Sequence, residues 1–254
     1  MRWLLITLLV FSALAGAPGP AAAGRRPFAV SYDTPLVPDG DVEIETWIDY
    51  AINRQAPNQW RWWIGPRWAP HESIEIAAFT IIAQDQGQGQ GAELWAEQID
   101  LRWRFYSHPV AGNLTLQLNA RIAMAYWLPN QLSPQLGWST HVGRFGFAAQ
   151  LGYAGGFTGP PQDINYHWIV WSAGASFDVV RGEIAPPFQV GVEAFGQGVL
   201  AGNNEFTGVS GSTVNLGPTL AVAKGRLWLS IGALLGLTAA SPLAFVRGTV
   251  GVAL

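Results

Sequence analysis

Residues 98–106 read QIDLRWRFY, and the segment has a period of two. Ile99, Leu101, Trp103 and Phe105 fall on one side, and Asp100, Arg102 and Arg104 on the other. A period of two belongs to a β-strand, whose successive side chains point to opposite faces. The pattern recurs. Leu114, Leu116, Leu118, Ala120, Ile122, Met124 and Tyr126 alternate with Asn113, Thr115, Gln117, Asn119 and Arg121. Val42, Ile44, Ile48 and Tyr50 alternate with Glu43, Glu45, Trp47 and Asp49, and Phe188, Val190, Val192 and Ala194 with Gln189, Gly191 and Glu193. In each case one face is fit for hydrocarbon and the other for water.

The apolar run 227–246 is long enough for a transmembrane helix. Gly232, Gly236 and the AASP break at 239–242 argue against one. Its own alternation, Leu227, Leu229, Ile231, Ala233, Leu235 and Leu237 against Trp228, Ser230, Gly232 and Leu234, argues for a strand. Twelve candidate strands follow, at roughly 41–51, 59–68, 72–82, 93–106, 113–127, 132–140, 145–156, 166–178, 186–198, 212–222, 226–238 and 243–254. An even number of long strands, polar on one face with no helix between them, predicts an all-β, transmembrane, antiparallel up-and-down β-barrel. The second strand is the least regular because Pro66 cannot donate to a ladder. A soluble sandwich or lipocalin-like barrel, with its apolar face inward, is the competing architecture.

Composition agrees with a membrane setting. Charged residues make up 12% of the 254, and there are 13 Trp, a residue suited to membrane interfaces. The absence of Cys removes disulfides, thiolate metal sites and Cys nucleophiles from consideration. A net charge of −3 offers no case for nucleic-acid binding.

The N-terminus carries Arg2, an apolar stretch over 3–16 and small residues at 21–23, the pattern of a signal peptide over 1–23. The expected organisation is therefore an exported chain with residues 24–40 as a periplasmic or plug segment and 41–254 as an outer-membrane barrel. If the first strand runs outward, the polar stretches 83–92, 157–165 and 198–212 are extracellular loops. The short links 141–144 and 224–226 are then periplasmic turns, the usual asymmetry.

Several segments resemble the bacterial outer-membrane transporter-like barrels grouped with the MetA pathway of phenol degradation. They are DVEIETWIDY (41–50), QIDLRWRFY, VGRFGFAAQLGY (142–153), FQVGVEAFG (188–196) and LGPTLAVAKGRLWLSIGALLGLTAASP (216–242). The resemblance implies a twelve-stranded barrel passing small molecules, hydrophobic compounds among them. It brings no catalytic motif. Such barrels usually end in an aromatic residue read by the insertion machinery, whereas this sequence ends in Leu254.

Projecting the strands collects Glu43, Glu45, Asp49, Arg61, Glu75, Asp100, Arg102, Arg104, Arg121, Glu193 and Arg247 on the lumen face. They read either as a constriction that selects permeants or as a structural network of acid–Arg pairs. Arg102 and Arg104 are expected to pair with the first strand's carboxylates. Ser139 and His141 share a face but fall at a turn. The four His are scattered, so neither a catalytic triad nor a metal site is expected. The DQGQGQG stretch at 85–91 lacks the helix and Lys-Ser/Thr ending of a phosphate loop. The Trp residues are assigned to the interface girdle and the wall.

The reading is a passive, non-enzymatic channel or transporter without a cofactor. Its partners are outer-membrane lipid, the barrel-insertion machinery and a small-molecule permeant; permeant identity and oligomeric state stay open. Alternatives are an outer-membrane lipid-modifying enzyme and a structural or surface-interaction barrel with a sealed lumen.

Overall fold

The computed structural model describes residues 26–31, 36–54, 56–85, 91–125, 128–157, 166–180, 188–202 and 211–254. The expected signal peptide and most of the loops at 86–90, 158–165 and 203–210 lie outside the described residues.

The chain folds into one closed antiparallel barrel in which each strand pairs with its sequence neighbour and the first with the last. The strands are β1 (Val42–Ile52), β2 (Gln59–His71), β3 (Ile74–Asp85), β4 (Glu93–His108), β5 (Gly112–Ala123), β6 (Asn130–Val142), β7 (Phe145–Phe157), β8 (Tyr166–Val180), β9 (Phe188–Gly202), β10 (Thr213–Lys224), β11 (Leu227–Gly236) and β12 (Ala244–Ala253). The apolar run 227–246 is thus β11, a turn and the start of β12. Two expected boundaries shift by four residues. β5 stops at Ala123 rather than near 127, and β9 continues to Gly202 through residues expected to be loop.

The alternation read from the sequence becomes the two faces of the wall. Ile99, Leu101, Trp103 and Phe105 are 54%, 43%, 49% and 44% exposed, while Asp100 and Arg102 between them are each 1% exposed. The same contrast holds along β11, where Leu229 and Ile231 face out and Ser230 and Leu234 are buried. In a soluble barrel the exposure would be reversed. An apolar exterior over a polar interior is what a bilayer stabilises.

Three strands carry a proline in mid-span, at Pro66, Pro134 and Pro218. Each pairs normally with one neighbour, opposite Ile44, Leu118 and Val192 respectively. On the other side the register skips two residues: 65–66 against β3, 133–134 against β7 and 217–218 against β11. The missing N–H would orphan a carbonyl in the wall. One of these gaps is closed by a hydroxyl: Ser133 Oγ donates to the Tyr153 carbonyl at 2.8 Å. At the other two a glycine precedes the proline and lets the strands press together, since a Cβ on Gly65 would lie 1.7 Å from the Ala78 carbonyl oxygen and one on Gly217 2.0 Å from that of Ala233. So β2, irregular in sequence, is a full strand of 13 residues.

Two substitutions separate these effects. Leu101→Arg places a charge on the exposed apolar face at mid-strand, at a cost of ~2–4 kcal/mol in a bilayer. It should reduce the folded, heat-modifiable band on gels after refolding into lipid. Gly65→Val should destabilise the β2–β3 contact even though valine is a good strand residue. Its signature is earlier thermal loss of that band without loss of insertion.

Candidate functional site

Charge inside the barrel is gathered on β1–β4. The centre of this group is Arg67, on the inner face of β2. Its Nε lies 2.7 Å from Glu45 Oε2 and its Nη1 2.5 Å from Glu75 Oε1. Arg102 on β4 adds a second contact to Glu75 Oε1 at 3.0 Å, and Arg26 reaches Glu45 Oε2 at 3.2 Å. Trp47 Nε1 also donates to Glu45 Oε1. Glu45, Arg67, Glu75 and Arg102 are each 1% exposed or less. At this burial an ion is tolerated only when paired and hydrogen-bonded. Arg67 also lies over the Phe79 ring, 5.6 Å from its centroid.

A second pair closes the wall. Arg247 on β12 stands directly opposite Asp49 on β1. It makes a two-pronged contact, Nε to Oδ1 at 2.5 Å and Nη2 to Oδ2 at 2.6 Å. This planar fork suits Arg and not Lys. The guanidinium also sits over the Trp47, Trp63 and Phe245 rings at 5.3, 5.7 and 5.5 Å.

The third component precedes the first strand. Phe28, Ala29, Ser31, Leu36 and Val37 are all buried. Glu193, on the inner face of β9, accepts hydrogen bonds from three consecutive backbone N–H groups: Ala29 (3.0 Å), Val30 (3.1 and 3.2 Å to the two oxygens) and Ser31 (2.9 Å). Glu75 accepts a similar bond from Val37 N at 3.0 Å, and Ser230 Oγ donates to the Phe28 carbonyl at 3.3 Å. Thus two lumen carboxylates satisfy backbone donors that have no strand partner. The wall makes room with glycine: a Cβ on Gly174 would come within 2.6 Å of the Phe28 ring, and one on Gly232 within 3.0 Å of the Ala29 Cβ.

The structure assigns the remaining sequence candidates as follows. Glu43 is buried on the inner face, in register with Arg67 and Ala253. Arg61 donates to Gln59 Oε1 at 2.5 Å and lies 4.8 Å from the Trp95 ring centroid. Asp100 accepts from Gln98 Nε2 at 2.8 Å, and Arg121 donates to Gln98 Oε1 through Nε and Nη2 at 3.2 and 3.0 Å. Arg102 pairs with Glu75 on neighbouring β3. Arg104 departs further: it donates to the Glu72 carbonyl at 2.6 Å, at an exposed turn. Position 104 is one turn-ward step too far along β4 to reach the buried acids.

Sequence reasoning missed Arg67, the hub, and Arg26. Arg67 lies six residues after Arg61, hence on the same face, and inside the expected strand 59–68; the period alone assigns it to the lumen, and only the irregularity at Pro66 sets it aside. The Trp assignment also needs correction. Trp68, Trp103 and Trp138 do face outward, but Trp47, Trp63, Trp95 and Trp228 are 8% exposed or less and fill the interior. Trp228 fits because Gly251 opposite has no side chain; a Cβ there would be 2.1 Å from Trp228 Nε1. His167 stacks on Tyr153 and shares a hydrogen bond with its hydroxyl. Among the described residues no three His, Cys, Asp or Glu side chains gather as metal ligands would.

Comparison with protein-family models gives no match, and comparison with curated proteins gives none. Solved structures do match. The COG4313 outer membrane channel from Pseudomonas putida F1 superposes with a TM-score of 0.62 at 7% identity, covering 87% of this chain and 98% of the channel. LpxR from Salmonella typhimurium gives a TM-score of 0.46 at 9% identity, over 84% of this chain and 99% of that one. A loop-deletion form of OmpT, an outer membrane protein of Vibrio cholerae, gives 0.35 at 7% identity, over 84% and 98%. At such identities the likeness is one of fold, and only the first superposition is close enough to support it. The chain has the fold of an outer-membrane β-barrel.

Arg67→Met should be the most damaging single change in the charge cluster. It strips both Glu45 and Glu75 of their Arg67 contacts, and breaking a dry buried pair costs ~3–5 kcal/mol. Arg104→Ala, at the exposed turn, should stay within about 0.5 kcal/mol of the parent. Thermal loss of the folded gel band compares the two directly.

Proposed function

We propose that this chain is a passive outer-membrane channel for small molecules, with the described part of its N-terminal segment, 26–31 and 36–40, closing the lumen. It is exported by a signal peptide removed after residue 23, inserted by the barrel-assembly machinery and solvated by outer-membrane lipid. The end carrying the longer loops faces outward. It performs no chemistry on its permeant. The reading keeps the resemblance to the MetA-pathway-like barrels as its family.

One observation carries the proposal. The N-terminal segment inside the barrel has the backbone N–H groups of Ala29, Val30, Ser31 and Val37 bonded to the side chains of Glu193 and Glu75, not to a neighbouring strand. Water can replace such bonds when the segment leaves, at a net cost of about 0.5–1.5 kcal/mol per neutral bond and more for a charged acceptor. A segment built into the wall would be secured by ladder pairing. The fold of the COG4313 channel adds support by analogy of architecture.

A sealed structural barrel is the second reading, favoured by the dry Arg67–Glu45–Glu75–Arg102 network. Liposome swelling and planar-bilayer recording separate the two. The channel reading expects intermittent conductance from the parent and a larger or longer-lived open level from Glu193→Ala, with barrel folding intact. If the parent, Glu193→Ala and a chain lacking residues 26–40 all neither conduct nor admit solutes, the sealed barrel is right.

A further inference from the structure

The interior beyond the charged cluster has a different chemistry. A cavity of about 230 Å³ opens there, walled by strands from β4 to β10 with Val30 of the N-terminal segment at its edge. No carboxylate lines it among the described residues. Its polar wall is dominated by carboxamides, including Asn119, Gln131, Gln135 and Gln197, with Phe195 supplying an apolar surface.

These amides are oriented. Gln131 Oε1 accepts from Arg121 Nη1 at 3.3 Å and from the Tyr166 hydroxyl at 3.1 Å. With its oxygen held twice, the side chain presents Nε2, for which no partner is found among the described residues. Gln117 Nε2 donates to Asn119 Oδ1 at 2.8 Å and leaves Asn119 Nδ2 in the same condition. Gln135 Nε2 turns to Ser133 Oγ at 3.4 Å, which leaves its carbonyl oxygen as an acceptor. Asn119 faces Ser133 across the β5–β6 ladder, and Gln131 and Gln135 lie two residues to either side of Ser133. Two fixed donors and one acceptor therefore share a patch of two adjacent strands. Phe195 is held from β9 by an edge contact with Phe245, their ring centroids 5.0 Å apart.

Among the described residues the only cation in the lining is Arg121, and each of its three nitrogens already donates to Gln98 or Gln131. Gln98 passes the interaction on to Asp100. The positive charge is thus committed to the wall and balanced behind it, so the cavity does not select for an anion.

We propose that this cavity is a binding site for a neutral, polyhydroxylated solute of monosaccharide size, a station on the channel path proposed above and resting on that reading. A hydroxyl group both donates and accepts, as an amide does, so a ring of amides matches a ring of hydroxyls without needing charge. The C–H face of a sugar ring suits the Phe195 surface. An aromatic or purely hydrophobic solute would bury Gln131 Nε2 and Asn119 Nδ2 unpaired, each at about 1–3 kcal/mol. The volume is below the ~300–1,000 Å³ of sites for drug-sized ligands, which limits the occupant to about one ring.

The test uses the full chain in a detergent without a sugar headgroup, titrated calorimetrically with D-glucose, D-glucuronate and phenol. The same solutes are then compared by liposome swelling. Saturable glucose binding is expected, with glucuronate and phenol weaker. Gln131→Leu and Asn119→Leu should each weaken glucose binding about three- to tenfold, the loss of one or two neutral hydrogen bonds. Gln189→Ala, on β9 outside the cavity lining, should leave it unchanged. Heat-modifiable migration of each variant confirms that the barrel is intact, and Gln197→Ala serves as a milder cavity variant if either leucine variant misfolds. Glucose binding that is absent, weaker than that of phenol, or indifferent to these cavity substitutions overturns the site. Glucose that binds with the expected variant pattern but does not enter liposomes upholds the site and removes the channel. Glucose that enters liposomes without saturable binding upholds the channel and removes the site.

Discussion

Everything in this molecule depends on closure of the β-ladder. An exposed strand edge in hydrocarbon would leave a row of N–H and C=O groups unpaired, each costing several kcal/mol, about as much as the net stability contributed by several ordinary contacts. The β1–β12 ladder, in register from Glu43 opposite Ala253 to Ile52 opposite Ala244, removes both edges at once. Asp49 and Arg247 reinforce that seam with a side-chain pair aligned across it. Backbone bonds hold any strand to any other, but a charge pair at one register position disfavours slippage, which would move every side chain of a strand to the wrong face.

Once the ring is closed with its apolar residues outward, polarity has only the lumen to occupy, and the two halves of the lumen solve this differently. On β1–β4 the solution is ionic: acids and guanidinium groups neutralise one another, with Trp47, Trp63 and Phe79 packed among them. On β5–β10, apart from Arg121 and Glu193, it is built mostly from amides, hydroxyls and glycine, and it leaves space. The N-terminal segment runs between these solutions. Its backbone donors are taken by Glu193 and Glu75, and its side chains by gaps that wall glycines leave. Glu75, which balances Arg67 and Arg102, thus also holds a piece of chain inside the lumen.

The barrel was legible because one physical rule acts on almost every strand. Lipid on one side and water on the other force a period of two, and the period assigns Leu101 and Asp100 to their faces without knowledge of any contact. The rule weakens where other demands intrude. Pro66 made β2 look irregular, and Arg67 beside it was passed over although it lies within the expected strand; the ladder on that side is broken, with Gly65 at the gap. The buried Trp residues misled because indole suits an interface and a filled interior equally well; the strand period, which puts Trp47 and Trp228 on the inner face, distinguishes the two, and Gly251 opposite Trp228 agrees with it. Residues 26–31 have no periodicity, since their hydrogen bonds go to side chains distant in sequence. The amide cavity escaped notice because a search guided by charge passes over Gln and Asn, whose role depends on which of their atoms the neighbours have already engaged.

The central claim is that the apolar face of this wall meets lipid and the polar face does not. The chain has no native Cys, so single cysteines can report on it. Ile99→Cys, Asp100→Cys, Leu101→Cys, Arg102→Cys and Trp103→Cys, each carrying a nitroxide spin label in bilayers, give relaxation by dissolved oxygen against relaxation by a water-soluble nickel chelate. The account predicts a period of two, with labels at 99, 101 and 103 responding to oxygen in the hydrocarbon and those at 100 and 102 shielded from it. Oxygen accessibility that is flat along the strand, or that peaks at 100 and 102, would contradict it.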